Sequence, residues 1–319
     1  MTLERNILLG LGVLAALLPF AITDQYVLHL AIMAIFYAIL ANSLNLVVGY
    51  VGEFSLGHTA FLGTGAYTAA LLSVNAGWPM WAAVPAAGVV AALFGLAIGA
   101  ITLRLQGPYF VIVTLSFAEV LRIVANNWIA VTNGPMGLAG VGQGGVSDKS
   151  AFLAIVLGLA ALTFYLSYRF VYSNAGRAAV AVRENRYVAQ SIGVNPFGTA
   201  MQAFVLGAFL AGLAGGFYAF YISFVGPEVF RFAFMATIII MVLMGGKGTL
   251  LGPVVGAVIV TLLEEYLREL QELRLSLFGL IVMAIVLFLP NGLMGFVARR
   301  REQRGDAPSL SPAIEERTV

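Results

Sequence analysis

Four stretches put polar, chemistry-capable side chains into an otherwise apolar chain. Residues 172–200, YSNAGRAAVAVRENRYVAQSIGVNPFGTA, are polar and basic, with Arg177, Arg183 and Arg186, and long apolar runs flank them. Gly176 opens an Ala-rich, helix-prone segment that stops at Gly193 and Pro196. A basic hairpin of this kind suits docking on a force-generating protein, or adhesion to anionic lipid headgroups. Residues 53–67, EFSLGHTAFLGTGAY, place Ser55, His58 and Thr59 among Gly57, Gly63 and Gly65. Irregular backbone at membrane depth is tolerated where protein or a water-filled cavity covers it. Pore lining is therefore one reading of Ser55 and His58; hydrogen bonding at the membrane interface is the other.

Glu119 and Arg122 lie three apart on one helix face, with Asn126 four residues further along it. Each charge inside a span costs about 2.5–3.5 kcal/mol on insertion scales. A mutually neutralising ion pair is the simpler reading, and a place beside a transport path with Tyr109, Thr114 and Asn126 is the alternative. Residues 244–253, MGGKGTLLGP, imitate a phosphate loop, but Gly248 stands where Ser or Thr must follow the lysine. The segment reads as a tight turn. No nucleophile–base pair occurs, so hydrolysis by this chain is not expected. His29 and His58 are far apart and cysteine is absent, which removes disulfides and thiolate metal sites.

The elements that must position these groups are membrane spans. Of the 319 residues 61% are hydrophobic and 10% charged, whereas soluble domains carry about 25% charge. The net charge of +2 is too small to point to nucleic acid. A span needs about 20 apolar residues, and ten segments qualify: 7–22, 27–48, 54–74, 81–103, 109–130, 151–172, 199–222, 232–246, 249–265 and 274–297. The eighth and ninth are short and broken by glycine. The first resembles a signal peptide in length but lacks a small-x-small cleavage site. Residues 1–298 thus form the transmembrane domain, and the charged, Pro-containing 299–319 a disordered tail.

Ten spans with both termini inside put twelve of the 17 Lys and Arg in the cytoplasm and four outside, with Arg122 within a span. Nine or eleven spans spoil that sorting. Spans one to five then start inside and six to ten outside, so repeated halves would be inverted. The expected fold is all-α, a polytopic bundle of about ten spans in two inverted halves. Gly95 with Gly99, Ala208 with Gly212 and Gly216, and Gly252 with Gly256 have the spacing of close helix packing.

Five stretches together carry a family resemblance: NSLNLVVGYVGEFSLGHTAFLGTGAYTAA (42–70), LRLQGPYFVIVTLSFAEVLRIVANN (103–127), GRAAVAVRENRYVAQSIGVNP (176–196), LAGLAGGFYAF (210–220) and MGGKGTLLGPVVGA (244–257). In these the chain resembles the permease subunits of branched-chain amino acid ABC importers, of the LivM type. The resemblance implies a bacterial inner-membrane importer in which this chain pairs with a second permease. Two cytoplasmic ATPases that use ATP and Mg, and an external substrate-binding protein, would complete it. The chain itself would hold no cofactor and touch membrane lipid but no nucleic acid. Residues 172–198 would be the loop that contacts the ATPase, through Gly176, Arg177, Arg183, Glu184 and Gly193. Ser55, His58, Tyr109, Thr114 and Asn126 are candidates for the path. The cargo implied is leucine, isoleucine or valine; urea or a short amide is the alternative within the family. A self-sufficient secondary transporter and a passive channel are the rivals outside it, and neither needs a basic loop of this kind.

Overall fold

A computed structural model describes residues 24–142 and 148–267, together with 279, 283 and 292–294. Apolar helices dominate. Helix α1, Gln25–Asn45, starts at Asp24, whose carboxylate accepts the Tyr26 N–H. It widens into a π-helical stretch, Leu46–Val51, that Gly52 ends at a φ of 85°. There follow α2 (His58–Ala76), α3 (Met80–Thr102), α4 (Pro108–Asn127) and the short α5 (Ile129–Thr132). Beyond them come α6 (Lys149–Val171), α7 (Asn174–Glu184), α8 (Arg186–Ser191) and α9 (Pro196–Ile222), and then two short helices, α10 (Phe232–Gly245) and α11 (Gly252–Tyr266). Among the described residues, the departure from helix is a two-residue antiparallel ribbon, β1 (Leu138–Ala139) against β2 (Phe224–Val225).

Among the described residues, five helices are long and apolar enough to cross a membrane: Gln25–Val51, Met80–Thr102, Pro108–Asn127, Lys149–Val171 and Pro196–Ile222. The expected spans 27–48, 81–103, 109–130, 151–172 and 199–222 coincide with these five to within a few residues. The expected 54–74 begins late, at His58, and α10 and α11 have 14 and 15 residues. The expected 7–22 and 274–297, and the tail 299–319, lie outside the described residues.

The core is built on α9, the most buried span, and small residues let α2 and α3 close on it. A side chain at Gly65 would stand 2.4 Å from the Gly212 carbonyl oxygen, and one at Gly212 would stand 2.3 Å from Ala91 Cβ. Gly95 meets Ala208, Gly99 meets Met201, and Gly256 meets the Met241 carbonyl. The small-residue spacings in the sequence therefore mark helix–helix contacts, where dispersion replaces the hydrophobic drive that lipid cannot supply. Buried polar pairs add direction. Asn42 Nδ2 donates to Ser167 Oγ (2.8 Å) and fastens α1 to α6.

Levels along the bundle matter more than its cross-section. The ring of His58, the first residue of α2, lies beside Gly207 of α9. Gly207 is eleven residues into α9, so α2 starts roughly 16 Å above the start of α9. Residues 52–57 make that climb without helical structure. From the other end, residues 223–231 descend from Ile222 until the Phe230 carbonyl accepts from Thr59 Oγ1 (3.3 Å). The Phe230 ring fills the space beside Gly63 and stacks on Tyr67. Two irregular segments thus reach the same depth from opposite ends.

Candidate functional site

The polar elbow comes first. Ser173 caps α7: its Oγ accepts the Gly176 N–H (3.3 Å) and donates to the Phe170 carbonyl (2.6 Å). Gly176 packs on the Val171 and Phe170 carbonyls, where a side chain would stand 2.2 Å from the former. That contact lets the chain fold sharply off α6. The single helix expected from Gly176 to Gly193 is in fact two. Asn185 breaks it with extended backbone and caps α8, its Oδ1 accepting from the Tyr187 and Val188 N–H groups at 3.0 and 3.1 Å. Gly193, at a φ of 87°, makes the exposed turn into α9. Arg177 is exposed and donates to Asn174 Oδ1.

Arg183 joins this elbow to two other elements. Its Nη1 donates to the Gly49 carbonyl (2.8 Å) in the π-helical stretch, and its Nη2 pairs with Glu184 (2.7 Å). Beside it, Asn45 grips the turn between α10 and α11. Asn45 Oδ1 accepts from the Gly248 N–H and its Nδ2 donates to the Thr249 carbonyl, both at 2.8 Å. The GGKGT stretch is a turn, as expected, and it seats on α1 and the Arg183 side chain. Lys247 stays exposed.

Arg186 then reaches the irregular climb, pairing with Glu53 at 3.2 Å. The two side chains are only 22% and 17% exposed. Burial pushes the Glu53 carboxyl above the ordinary range, and Arg186 pulls it partly back. Beside this pair an open cleft of ≈ 360 Å³ lies between the elbow and Gln106 and Gly107 at the α3–α4 turn.

Further up, the climb meets α4. The Leu56 N–H donates to Thr114 Oγ1 (3.2 Å), while Thr114 donates to Val111 O (2.9 Å). Ser55 is buried and accepts from the Gly57 N–H at 3.4 Å. His58 is buried against Ser43. The Ser43 hydroxyl donates to the Leu40 carbonyl (2.7 Å), so at 2.7 Å His58 Nε2 carries the proton and donates to Ser43 Oγ. Ser55, His58 and Thr114 therefore gather where the irregular segment ends. Tyr109, 72% exposed, and Asn126 lie elsewhere along α4 and do not join them. Glu119 and Arg122 form the expected ion pair: Arg122 Nε reaches the two carboxylate oxygens at 3.0 and 2.9 Å and Nη2 lies 2.6 Å from Oε1.

Asn45, Gly49, Gly248 and the Arg186–Glu53 pair were not singled out from the sequence. Their signal was present in the stretches 42–70 and 244–257, each rich in glycine around a polar residue, but nothing local says that one seats on the other. Among the described residues no group of His, Cys, Asp and Glu is arranged to hold a metal ion. The arrangement has the parts of a linkage, from an exposed basic elbow to backbone at mid-bundle.

Residues 26–290 match the family described as branched-chain amino acid transport system / permease component. The chain is 33% identical to the high-affinity branched-chain amino acid transport system permease protein LivM of Salmonella typhimurium, over 91% of this chain and 75% of that one. It is 32% identical to LivM of Escherichia coli over the same shares, and 25% identical to LivH of Escherichia coli, over 81% of this chain and 91% of LivH. No solved structure gives a significant match.

Proposed function

Because the chain belongs to the branched-chain amino acid transport permease family, we propose that it is a permease subunit of an ATP-driven importer for leucine, isoleucine and valine. A second permease subunit of the LivH kind completes the path. Two ATPases bind on the side of the α7–α8 elbow, and a binding protein delivers substrate on the opposite side. The chain is a multi-pass membrane protein. Ten spans, related as two inverted halves, with both termini and the elbow facing the cytoplasm of a bacterial inner membrane, are part of this reading.

One observation carries it. Arg183 and Arg186 reach from the exposed elbow to the Gly49 carbonyl and the Glu53 carboxylate. A push on the elbow is delivered to residues 52–57, whose far end abuts Thr114 and begins α2. Tyr187 and Ile192, 75% and 71% exposed, give the elbow the apolar area that a docked ATPase would cover. Catalysis is left to the partners, and the chain moves solute by changing shape.

The test is the double variant R183A/E184A in the assembled complex in proteoliposomes. Leucine-loaded binding protein should no longer stimulate ATP hydrolysis, while the complex still assembles. Unchanged stimulation removes the elbow from coupling, and uptake of urea in place of leucine overturns the cargo.

A further inference from the structure

Of the five spans among the described residues, α4 is the least buried, with 22% of its apolar window buried against 78% for α9. Its buried side is Phe110, Thr114, Ala118 and Ala125. Glu119, eleven residues along from Pro108, is roughly 16 Å from that end of a helix about 30 Å long. Its side chain is 49% exposed and that of Arg122 is 30%. Lipid is a poor neighbour for such a pair, since even a neutralised pair loses the water on its outer side. Snorkelling does not resolve this, because Arg122 spends three hydrogen bonds on Glu119 and is held at its depth.

A second pair lies beside the first. Glu228 lies in the Pro227–Phe230 turn, which packs against α4, and it pairs with Arg231. Two carboxylates and two guanidinium groups therefore share one flank of the bundle, with no net charge, where α4 meets residues 227–231. Each anion has a cation that can be exchanged for another. A zwitterion presents the matching pair, and it can trade partners with the four groups without leaving a charge unpaired.

Resting on the reading of this chain as an amino acid permease, we propose that the flank formed by Glu119, Arg122, Glu228 and Arg231 faces the water-filled path. It is a passing station for the ammonium and carboxylate of a zwitterionic substrate, and the second permease subunit closes the opposite side. Affinity there is low because each ionic bond the solute forms replaces one that held a pair together.

The chain contains no cysteine, so an introduced cysteine is the one labelling site on this chain, and its label is read on this subunit after the subunits are separated. In the full complex in proteoliposomes, S116C on the same exposed side of α4 should react with a water-soluble, membrane-impermeant thiol reagent. L93C on the exposed side of α3 should not. E119Q and R122Q should each lower leucine uptake about tenfold to hundredfold, the worth of a charge-assisted hydrogen bond, with binding-protein-stimulated ATPase unchanged within about twofold. The reversed pair, E119R/R122E, should recover part of the uptake. Unreactive S116C, or full uptake by both glutamine variants, overturns the station. If the unmodified complex takes up no branched-chain amino acid, the fault lies instead with the reading on which the station rests.

Discussion

Asn45 bears the most informative perturbation. Replacing it by alanine removes the acceptor for the Gly248 N–H and the donor to the Thr249 carbonyl, each a 2.8 Å bond. An orphaned buried backbone group costs about 1–3 kcal/mol. Gly248 and Thr249 are part-buried, so water offsets some of the loss, and about 2–4 kcal/mol is expected for N45A. By soluble-domain scaling the unfolding midpoint of the purified complex should fall on the order of 4–8 °C. Gly49→Ala attacks the same contact from the other side, because its side chain would lie 2.0 Å from Asn45 Oδ1 and 2.4 Å from the Gly248 nitrogen. The two variants destroy one set of bonds, so N45A/G49A should cost little more than the worse single change. Intrinsic fluorescence during heating measures stability, and leucine-stimulated ATPase measures the link. Additive losses would refute the view that α1, the 246–251 turn and Arg183 form one joint.

Three further outcomes follow from the same geometry. For E53Q, burial raises the Glu53 pKa, so its ionised form is penalised in the fold; that group favours stability most below its unfolded value and less as pH rises through its folded one. E53Q should therefore leave thermal stability at neutral pH unchanged or higher while weakening ATPase coupling, and the pH dependence of stability between the two values should flatten. G65A places a methyl 2.4 Å from the Gly212 carbonyl and should cost about 1–3 kcal/mol by overpacking α2 against α9, read from the same melts. Tyr187→Ser on the exposed elbow should not shift the melt of the isolated permease pair. It should lower co-purification of the ATPases, and equal retention of them would remove Tyr187 from that contact.

Apolar length was legible in the sequence. Helices α3, α4, α6 and α9 lie within a few residues of the expected spans because a run of about 20 apolar residues has one stable use in lipid. The small-residue spacings and the Glu119–Arg122 pair were legible for the same local reason. The start of α2 was not. Residues 54–57 are as apolar as a first helical turn, and the hydrogen bond from the Leu56 N–H to Thr114 that draws them out of helix comes from α4. Nor was the break at Asn185 legible, since the preceding Ala-rich run carries no stop, and an asparagine is a cap only when its backbone is extended. Arg183 with Gly49 and Asn45 with Gly248 are separated by 134 and 203 positions. No pattern read along the chain reports pairs of that kind.

The late start of α2 bears on how the protein is made. Its first turn carries the imidazole of His58 and the hydroxyl of Thr59 into the apolar interior, and what covers them is Ser43 behind, Gly207 on α9 and the Phe230 carbonyl. The last two leave the ribosome 149 and 172 residues after His58 does. Until then α2 is an incomplete traveller at the insertion machinery, stable only in company with α1 and α3. A nascent chain halted after α6 should accordingly be a substrate for membrane quality-control proteases, and one halted after α10 should escape them.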